Sequence, residues 1–250
     1  MKLSFVIPAH NEEFTLGACL DSIMRELAST DHRYDVEIIV VNNASGDRTR
    51  AVALRYPGVH VVDELQKGLV KARARGFKEA DGDIVANIDA DTILPKGWLT
   101  TVFSEFERHP HLVCLSGPLV YHDLPLSAQI IAKLFNCVAL LVHFLVRFLR
   151  IGAQVQGGNF VLRRDAWIRA GGFDTSIDFY GEDTDVARRI SKQGNVKFTF
   201  RLPIYSSGRR LAHEGVLAIG WRYTINYFWV LLFGKPHTKV SQDVRRSPGT

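Results

Sequence analysis

Three observations predict a doubly wound α/β fold with a mostly parallel sheet. Short apolar, β-branched runs alternate with helix-period stretches through the first half of the chain. A polar cluster rich in Asn, Asp or Glu follows several of those runs directly. The composition, 46% hydrophobic and 23% charged over 250 residues, is that of a compact globular protein and excludes disordered, fibrous and collagen-like chains.

The elements follow in order. Leu3–Ile7 is an apolar strand that ends at Pro8, and Asn11 is placed to cap a helix in which Leu16, Leu20, Ile23, Met24 and Leu27 recur at helical spacing. Val36–Val41 is unbroken and mostly β-branched, as a strand buried on both faces requires. A short helix stops before Pro57, a strand follows at Val59–Val62, a helix at Gly68–Ala80 and a strand at Asp83–Ile88. Such a β-α-β series folds with right-handed crossovers and leaves a ligand crevice at the carboxyl ends of its strands.

Polar clusters fall at those ends: Pro8–Glu13, Asn42–Asp47 and Asp89–Asp91. Each one alone reads equally as a turn, because Asn, Asp, Gly and Pro make turns. Three on one rim read as a site.

Beyond Leu112–Tyr121 the character changes. Leu124–Arg164 contains no acid, and its uncharged core, Leu134–Val146, is shorter than the roughly 18–20 residues of a bilayer span. A second apolar stretch, Val216–Gly234, is rich in aromatics and contains Arg222. Both fit core helices or helices lying on a membrane, with Lys133, Arg147 and Arg150 near anionic headgroups. Charge favours the membrane. Residues 186–250 carry 12 Lys and Arg against two acids, Glu214 and Asp243, and end in a basic tail over Lys235–Thr250, so an anionic surface is the expected partner. The basic region carries no nucleic-acid recognition motif, so nucleic acid is not an expected partner. Cys19, Cys114 and Cys137 have no paired spacing for a disulfide framework or zinc site, and the N-terminus lacks a secretory apolar stretch. The expected location is cytoplasmic, peripheral on the membrane's cytoplasmic face.

The sharpest chemical signal is Asp89-Ala90-Asp91. Two carboxylates one residue apart at a strand end can both reach a hard cation, Mn2+ or Mg2+, that keeps open positions for phosphates. An Asp turn is the alternative. Glu182-Asp183-Thr184-Asp185 opens a helix; acids there either complement the helix dipole or supply a general base. The paired glycines of Gln156-Gly157-Gly158-Asn159-Phe160 admit a ligand close to the backbone, or mark a bulge. Lys67, Arg73 and Arg75 offer cations to a diphosphate, or form an ordinary basic helix face. Ser206–Arg210 with His213 is a basic, flexible-looking segment able to close over phosphates.

In order, PAHNEE (Pro8–Glu13), VNNASGD (Val41–Asp47), KGLVKARARG (Lys67–Gly76), DAD (Asp89–Asp91), GGNF (Gly157–Phe160), GGFD (Gly171–Asp174) and GEDTD (Gly181–Asp185) closely resemble the family 2 glycosyltransferases over about residues 1–213. The resemblance implies the GT-A fold: residues 1–215 as the transferase domain, with a nucleotide-binding half to about 121 and an acceptor half from about 122, then a C-terminal apolar helix and tail over 216–250. It places Pro8, Ala9 and Glu12 at the base and ribose of a nucleoside-diphosphate sugar, a UDP-sugar by preference. Asn42-Asn43 stands where the family usually has an acidic pair, and Asp47 matches that motif's later acid. Lys67 and Arg73 flank the nucleotide; Ala74 departs from the family's usual Asn. Asp89 and Asp91, with Ala90 between them, match the metal-diphosphate motif, and Asp183, beside Glu182, matches the catalytic base. Gly157, Gly158 and Asn159 would border the donor. Arg209 and Arg210 would close over its diphosphate, with His213 as a third metal ligand.

The implied reaction is metal-dependent, inverting transfer to an acceptor hydroxyl, of a single sugar because the motifs and spans of processive synthases are lacking; contact with a membrane would make the acceptor lipid-linked. A retaining transferase and a non-catalytic nucleotide-sugar-binding protein are the alternatives. A nucleotidyltransferase is disfavoured by the acidic loop Asn11-Glu12-Glu13, where such enzymes carry a glycine-rich basic one.

Overall fold

The computed structural model describes residues 1–148 and 152–238. Its elements run β1 (Lys2–Ala9), α1 (Leu16–Ser29), β2 (Asp35–Asn43), α2 (Thr49–Ala53), β3 (Val59–Glu64), α3 (Leu69–Glu79), β4 (Ile84–Ile88), β5 (Thr92–Ile93) and α4 (Trp98–Arg108). They continue through β6 (Leu112–Ser116), β7 (Leu119–Tyr121), α5 (Leu126–Phe148), β8 (Asn159–Arg163), α6 (Arg164–Arg169), α7 (Glu182–Ile190), β9 (Asn195–Phe198), β10 (Ile204–Ser206), α8 (Arg209–Glu214) and α9 (Val216–Phe233).

Among the described residues, seven strands form the main sheet in the order β3-β2-β1-β4-β8-β6-β9. β3, β2, β1 and β4 are parallel, β8 runs antiparallel to both β4 and β6, and β9 is parallel to β6. The doubly wound, mostly parallel sheet is therefore as expected. Because β8 inserts between β4 and β6, residues from both halves of the chain share one sheet. A second sheet, β5-β10-β7, stands beside the β4 end. Apolar side chains fill both faces of the main sheet: Phe5, Ile7, Val40 and Ala86 pack toward α1 and α4, while Val6, Val41, Val85 and Phe160 pack toward α3, α6 and α7. Alternate residues of the same strands serve the two cores, the period-2 geometry of a strand covered on both sides.

Two local expectations are corrected. Asn11 does not cap a helix: it takes a left-handed conformation, φ 52°, and its Oδ1 accepts from the Gly46 amide, while α1 begins only at Leu16. Ser206–Arg210 is anchored rather than loose. Ser206 pairs with β5 and β7, and Asp123 accepts from Ser207 Oγ and the Gly208 amide, each at 2.6 Å.

The apolar stretches form α5 and α9. Although Lys133 interrupts it, α5 extends over 23 residues, and Leu126–Val146 has a mean hydropathy of 1.9 against 1.3 for Val216–Phe233. By length and composition each is long enough to cross a membrane, which the uncharged core of α5 alone is not. Each turns one side inward, with Ala132, His143 and Val146 buried on α5 and Ile219, Asn226 and Val230 on α9. The outer sides expose Leu134, Leu141, Phe144, Leu217, Trp221 and Leu232. Arg150 and residues 239–250 of the basic tail lie outside the described residues.

α3 controls how closely the site is assembled. Gly76 lies against β1 and β2, where an added Cβ would come within 2.8 Å of Val41 Cγ2 and nearer still to Val6. Gly76→Ala is therefore expected to destabilise the protein by about 1–3 kcal/mol through overpacking, although alanine is the better helix former by about 1 kcal/mol. Urea unfolding measures this, and a variant as stable as wild type would contradict the packing described.

Candidate active site

The strand ends of β1 and β4 meet the glycine turn before β8 and the N-terminus of α7, and the charged residues gather there. On α3 the buried side is Val70, Ala72, Arg73, Gly76 and Phe77. Arg73 thus occupies a core position in a helix stripe, at 1% exposure. A buried guanidinium needs partners. It finds Glu182 Oε1 at 2.7 Å, the Gly157 carbonyl at 3.0 Å and Asp89 Oδ1 at 3.3 Å. Asn87, a buried amide within the apolar strand β4, donates to the same Gly157 carbonyl at 2.6 Å. The glycine turn is therefore fixed by two donors, and Gly158 lies so close to Asp89 that a Cβ there would collide with its carboxylate.

Asp89, Ala90 and Asp91 turn off the end of β4, with the Thr92 amide and hydroxyl both donating to the Asp89 carbonyl. They line a cavity of about 140 Å³ together with Pro8, Glu12, Arg209 and Arg210. Arg209 bridges Glu12 and Asp91, the latter at 3.0 Å. Glu12 is further held by the Thr15 hydroxyl at 2.6 Å. Burial pushes the Asp91 carboxyl up to about 7; Arg209 opposes this, and Asp89 and Glu12 add to it. Asp89 and Asp91 are hard-oxygen donors of the kind that Mn2+ or Mg2+ takes, here paired with Arg73 and Arg209. Arg209 therefore lies on the carboxylates themselves. Arg210 is steered beside them by Glu214 at 3.2 Å and by the ring of Phe179, 4.5 Å from its guanidinium.

A larger cavity, about 350 Å³, opens beside the first and shares Asp89 with it. Arg73, Gly157, Gly158, Glu182 and Asp183 line its polar end. α7 starts there because Gly181 takes a left-handed φ of 83°, with Val230 of α9 against its Cα. Burial raises the Asp183 carboxyl above its ordinary value, opposed by Arg73 and by hydrogen bonds from Thr184 and Gly157. Glu182 is pushed up to about 7 by burial and by Asp183, again against Arg73. Asp185 is occupied elsewhere, pairing with Arg188 and Arg189.

Other expected site residues lie apart from these cavities. Ala9 is buried in the core. Asn43 ties β2 to the next loop, accepting from the Gly68 amide and donating to the Glu64 and Gln66 carbonyls. Asn42 donates to Asp63 at 2.8 Å. Asp47 accepts from the Glu13 and Thr49 amides, and Lys67 is exposed. Asn159 is buried and donates to the Leu202 carbonyl. His213 is exposed on α8 and lines neither cavity, and among the described residues no three His, Cys, Asp or Glu gather as a metal shell. Sequence reasoning missed Asn87, whose signal is a polar residue inside an apolar strand. It also missed Tyr223 and Tyr227 of α9, which line the larger cavity at i, i+4 spacing.

Removing Arg73 leaves buried carboxylates without their cation, a loss of about 3–5 kcal/mol for such pairs. Without that cation Glu182 rises further above about 7 and takes up a proton as pH falls, which relieves the loss. Arg73→Met is therefore expected to show a larger deficit in urea unfolding at pH 8 than at pH 5.5. An equal deficit at both pH values would contradict the pairing.

Comparison with known proteins shows the family and the fold. The glycosyl transferase family 2 model matches residues 4–150, and that of glycosyl transferase family group 2 matches residues 84–217. A dolichol-phosphate mannosyltransferase of Pyrococcus furiosus is 37% identical over 95 residues, which is 36% of this chain and 26% of that protein. The chain spans less than half the length of the first curated relatives it matches. Among solved structures, a Pyrobaculum calidifontis mannosyltransferase in complex with GDP-Man and Mn2+ aligns with TM-score 0.64 at 21% identity, over 82% of this chain and 56% of that one. The Mycobacterium tuberculosis glucosyl-3-phosphoglycerate synthase in complex with Mn2+ and UDP-Glc aligns at 0.65 and 19%, over 95% and 80%. The fold is GT-A. With the family 2 match spanning more than half of its residues, the chain belongs to glycosyl transferase family 2.

Proposed function

We propose that the protein transfers one sugar from a nucleoside-diphosphate sugar to an acceptor hydroxyl with inversion at the anomeric carbon, using a divalent cation. The observation that carries this reading is the arrangement around Arg73: the donor-side carboxylate Asp89 and the acid pair Glu182-Asp183 face one connected cleft. The solved relatives in complex with UDP-Glc or GDP-Man and Mn2+ support a nucleotide-sugar donor, with a UDP-sugar the favoured class.

In this reading Pro8, Glu12, Ala90, Arg209 and Arg210 border the nucleotide, and Asp89 and Asp91 would hold Mn2+ or Mg2+. Bound there, the cation would neutralise charge on the leaving diphosphate. Arg209 exchanges its carboxylate partners for phosphate oxygens when donor enters. Asp183 accepts the proton of the acceptor hydroxyl as that oxygen attacks the anomeric carbon from the face opposite the diphosphate, so no covalent intermediate forms. Its raised pKa makes it a stronger base than an exposed aspartate. Glu182 stays paired to Arg73 and sets the charge beside the base.

The exposed apolar sides of α5 and α9, and the basic C-terminal quarter, support action at an anionic membrane surface, peripheral on its cytoplasmic face, where a lipid-linked acceptor would be presented.

Asp183→Asn is expected to keep donor affinity near wild type while turnover falls by roughly 10²-fold or more, the scale of general-base catalysis. Calorimetric titration and steady-state rates measure the two quantities; near-normal turnover would remove Asp183 as the base. Vesicle sedimentation checks the membrane assignment. Binding to anionic liposomes at low salt that weakens as salt rises is expected, and no binding at low salt would contradict it.

A further inference from the structure

The larger cavity does not stop at its charged end. Away from Asp183 it continues between α5 and α9, with Phe135, Ala139 and Val142 on one wall and Ile219 and Gly220 on the other. The helices approach closely at Gly220, where an added Cβ would lie 2.5 Å from the Phe135 ring. At about 350 Å³ the cavity is of small-molecule size. These walls are mostly apolar, with Asn136 of α5 and Thr224 and Asn226 of α9 as their polar members, so they offer little to a sugar or phosphate arriving from water, whereas a hydrocarbon chain gains with every methylene it buries. The outer sides of the same two helices are exposed and apolar, Leu141 at 71% and Leu232 at 70%, so the cleft lies between surfaces suited to a bilayer.

The polar end selects the head group. Its charged lining is Arg73 against the carboxyl groups of Asp89, Glu182 and Asp183, which outnumber the one cation and accept a neutral hydroxyl more readily than a second anion. Tyr227 of α9 lines the same cavity, and its phenolic oxygen is buried with no hydrogen-bond partner among the described residues. Buried hydroxyls are normally paired, so this one marks the position of a ligand's polar atom.

We infer that the cleft between α5 and α9 binds the hydrocarbon chain of a neutral, hydroxyl-headed amphiphile, placing its head at Asp183 and Tyr227. This rests on the reading of Asp183 as general base and names the acceptor class for it. In the transfer the head-group oxygen bonds the anomeric carbon, the bond from that carbon to the diphosphate oxygen breaks, and the hydroxyl proton passes to Asp183. A lipid phosphate is disfavoured as the direct nucleophile.

The test uses n-alkyl β-glucosides from butyl to decyl, each below its micellisation concentration, titrated calorimetrically into the full chain without donor. The dissociation constant is expected to fall about threefold to fourfold per added methylene until the chain outgrows the cleft. n-Octyl phosphate should bind about tenfold or more weakly than n-octyl glucoside. Tyr227→Phe should weaken the glucoside by about twofold to tenfold, the value of one hydrogen bond, with the methylene increment unchanged. Ala139→Trp should flatten the chain-length dependence. A flat series in the wild-type protein, or octyl phosphate binding as tightly as octyl glucoside, overturns the inference. Either result leaves the transferase reading intact if Asp183→Asn still binds donor and fails to turn over. Failure of the wild-type protein to bind any nucleotide sugar removes that reading itself.

Discussion

Arg73 is 1% exposed, yet Glu182, Asp89 and the Gly157 carbonyl, from three separate parts of the chain, are all set against its guanidinium. A cation in that position is tolerable only while those partners remain, and they are tolerable in a buried cleft only while it remains. The pairing therefore fixes the acid pair at the head of α7 relative to the carboxylates that follow β4. It also fixes the glycine turn that lets the two approach. Gly76 carries the consequence outward, because the close seat of α3 on β1 and β2 is what brings Arg73 to the middle of the site. The carboxylate that follows β4 and the acid pair of α7 are thereby held in one place by one side chain.

The electrostatics of the cleft follow from that arrangement. Burial raises Asp91, Glu182 and Asp183 together, and Arg209 and Arg73 hold the rise in check from either side. The two arginines differ in kind. Arg73 is enclosed and belongs to the framework, whereas Arg209 is half-buried on a six-residue helix and lies across Glu12 and Asp91. The site thus has an enclosed cation at its centre and a more exposed one at its mouth.

Much of this could be read from residue pattern, and the exceptions have physical reasons. β1, β2 and β4 fall close to where their apolar runs end, because a strand buried on both faces admits few polar residues. The Asp89–Asp91 and Glu182–Asp183 clusters meet in space as their order suggested. Arg73 stands in the apolar stripe of α3, visible as a charge between Val70 and Phe77, but its partner Glu182 is 109 residues away and no local pattern reveals it. Asn43 and Asp47 carry side chains equally suited to a ligand and to a turn, and in the fold they serve turns. Asn11 looked like a helix cap for the same reason: a short polar side chain caps a helix or holds a left-handed turn, and the neighbouring loop decided for the turn. Tyr227 was hidden within an aromatic-rich stretch whose inward side only packing defines.

The central claim is that Asp89, Asp91 and the residues around Arg73 form one metal-dependent nucleotide-sugar site. It is tested most directly by the melting temperature of the wild-type protein with UDP-, GDP-, dTDP- and CDP-sugars, each with Mn2+, Mg2+ or EDTA. Ligands that bind the native state raise its melting point. The account predicts a rise with one nucleotide class, UDP-sugars first, that requires metal and disappears with EDTA. No rise with any donor, or an equal rise in EDTA, would contradict it.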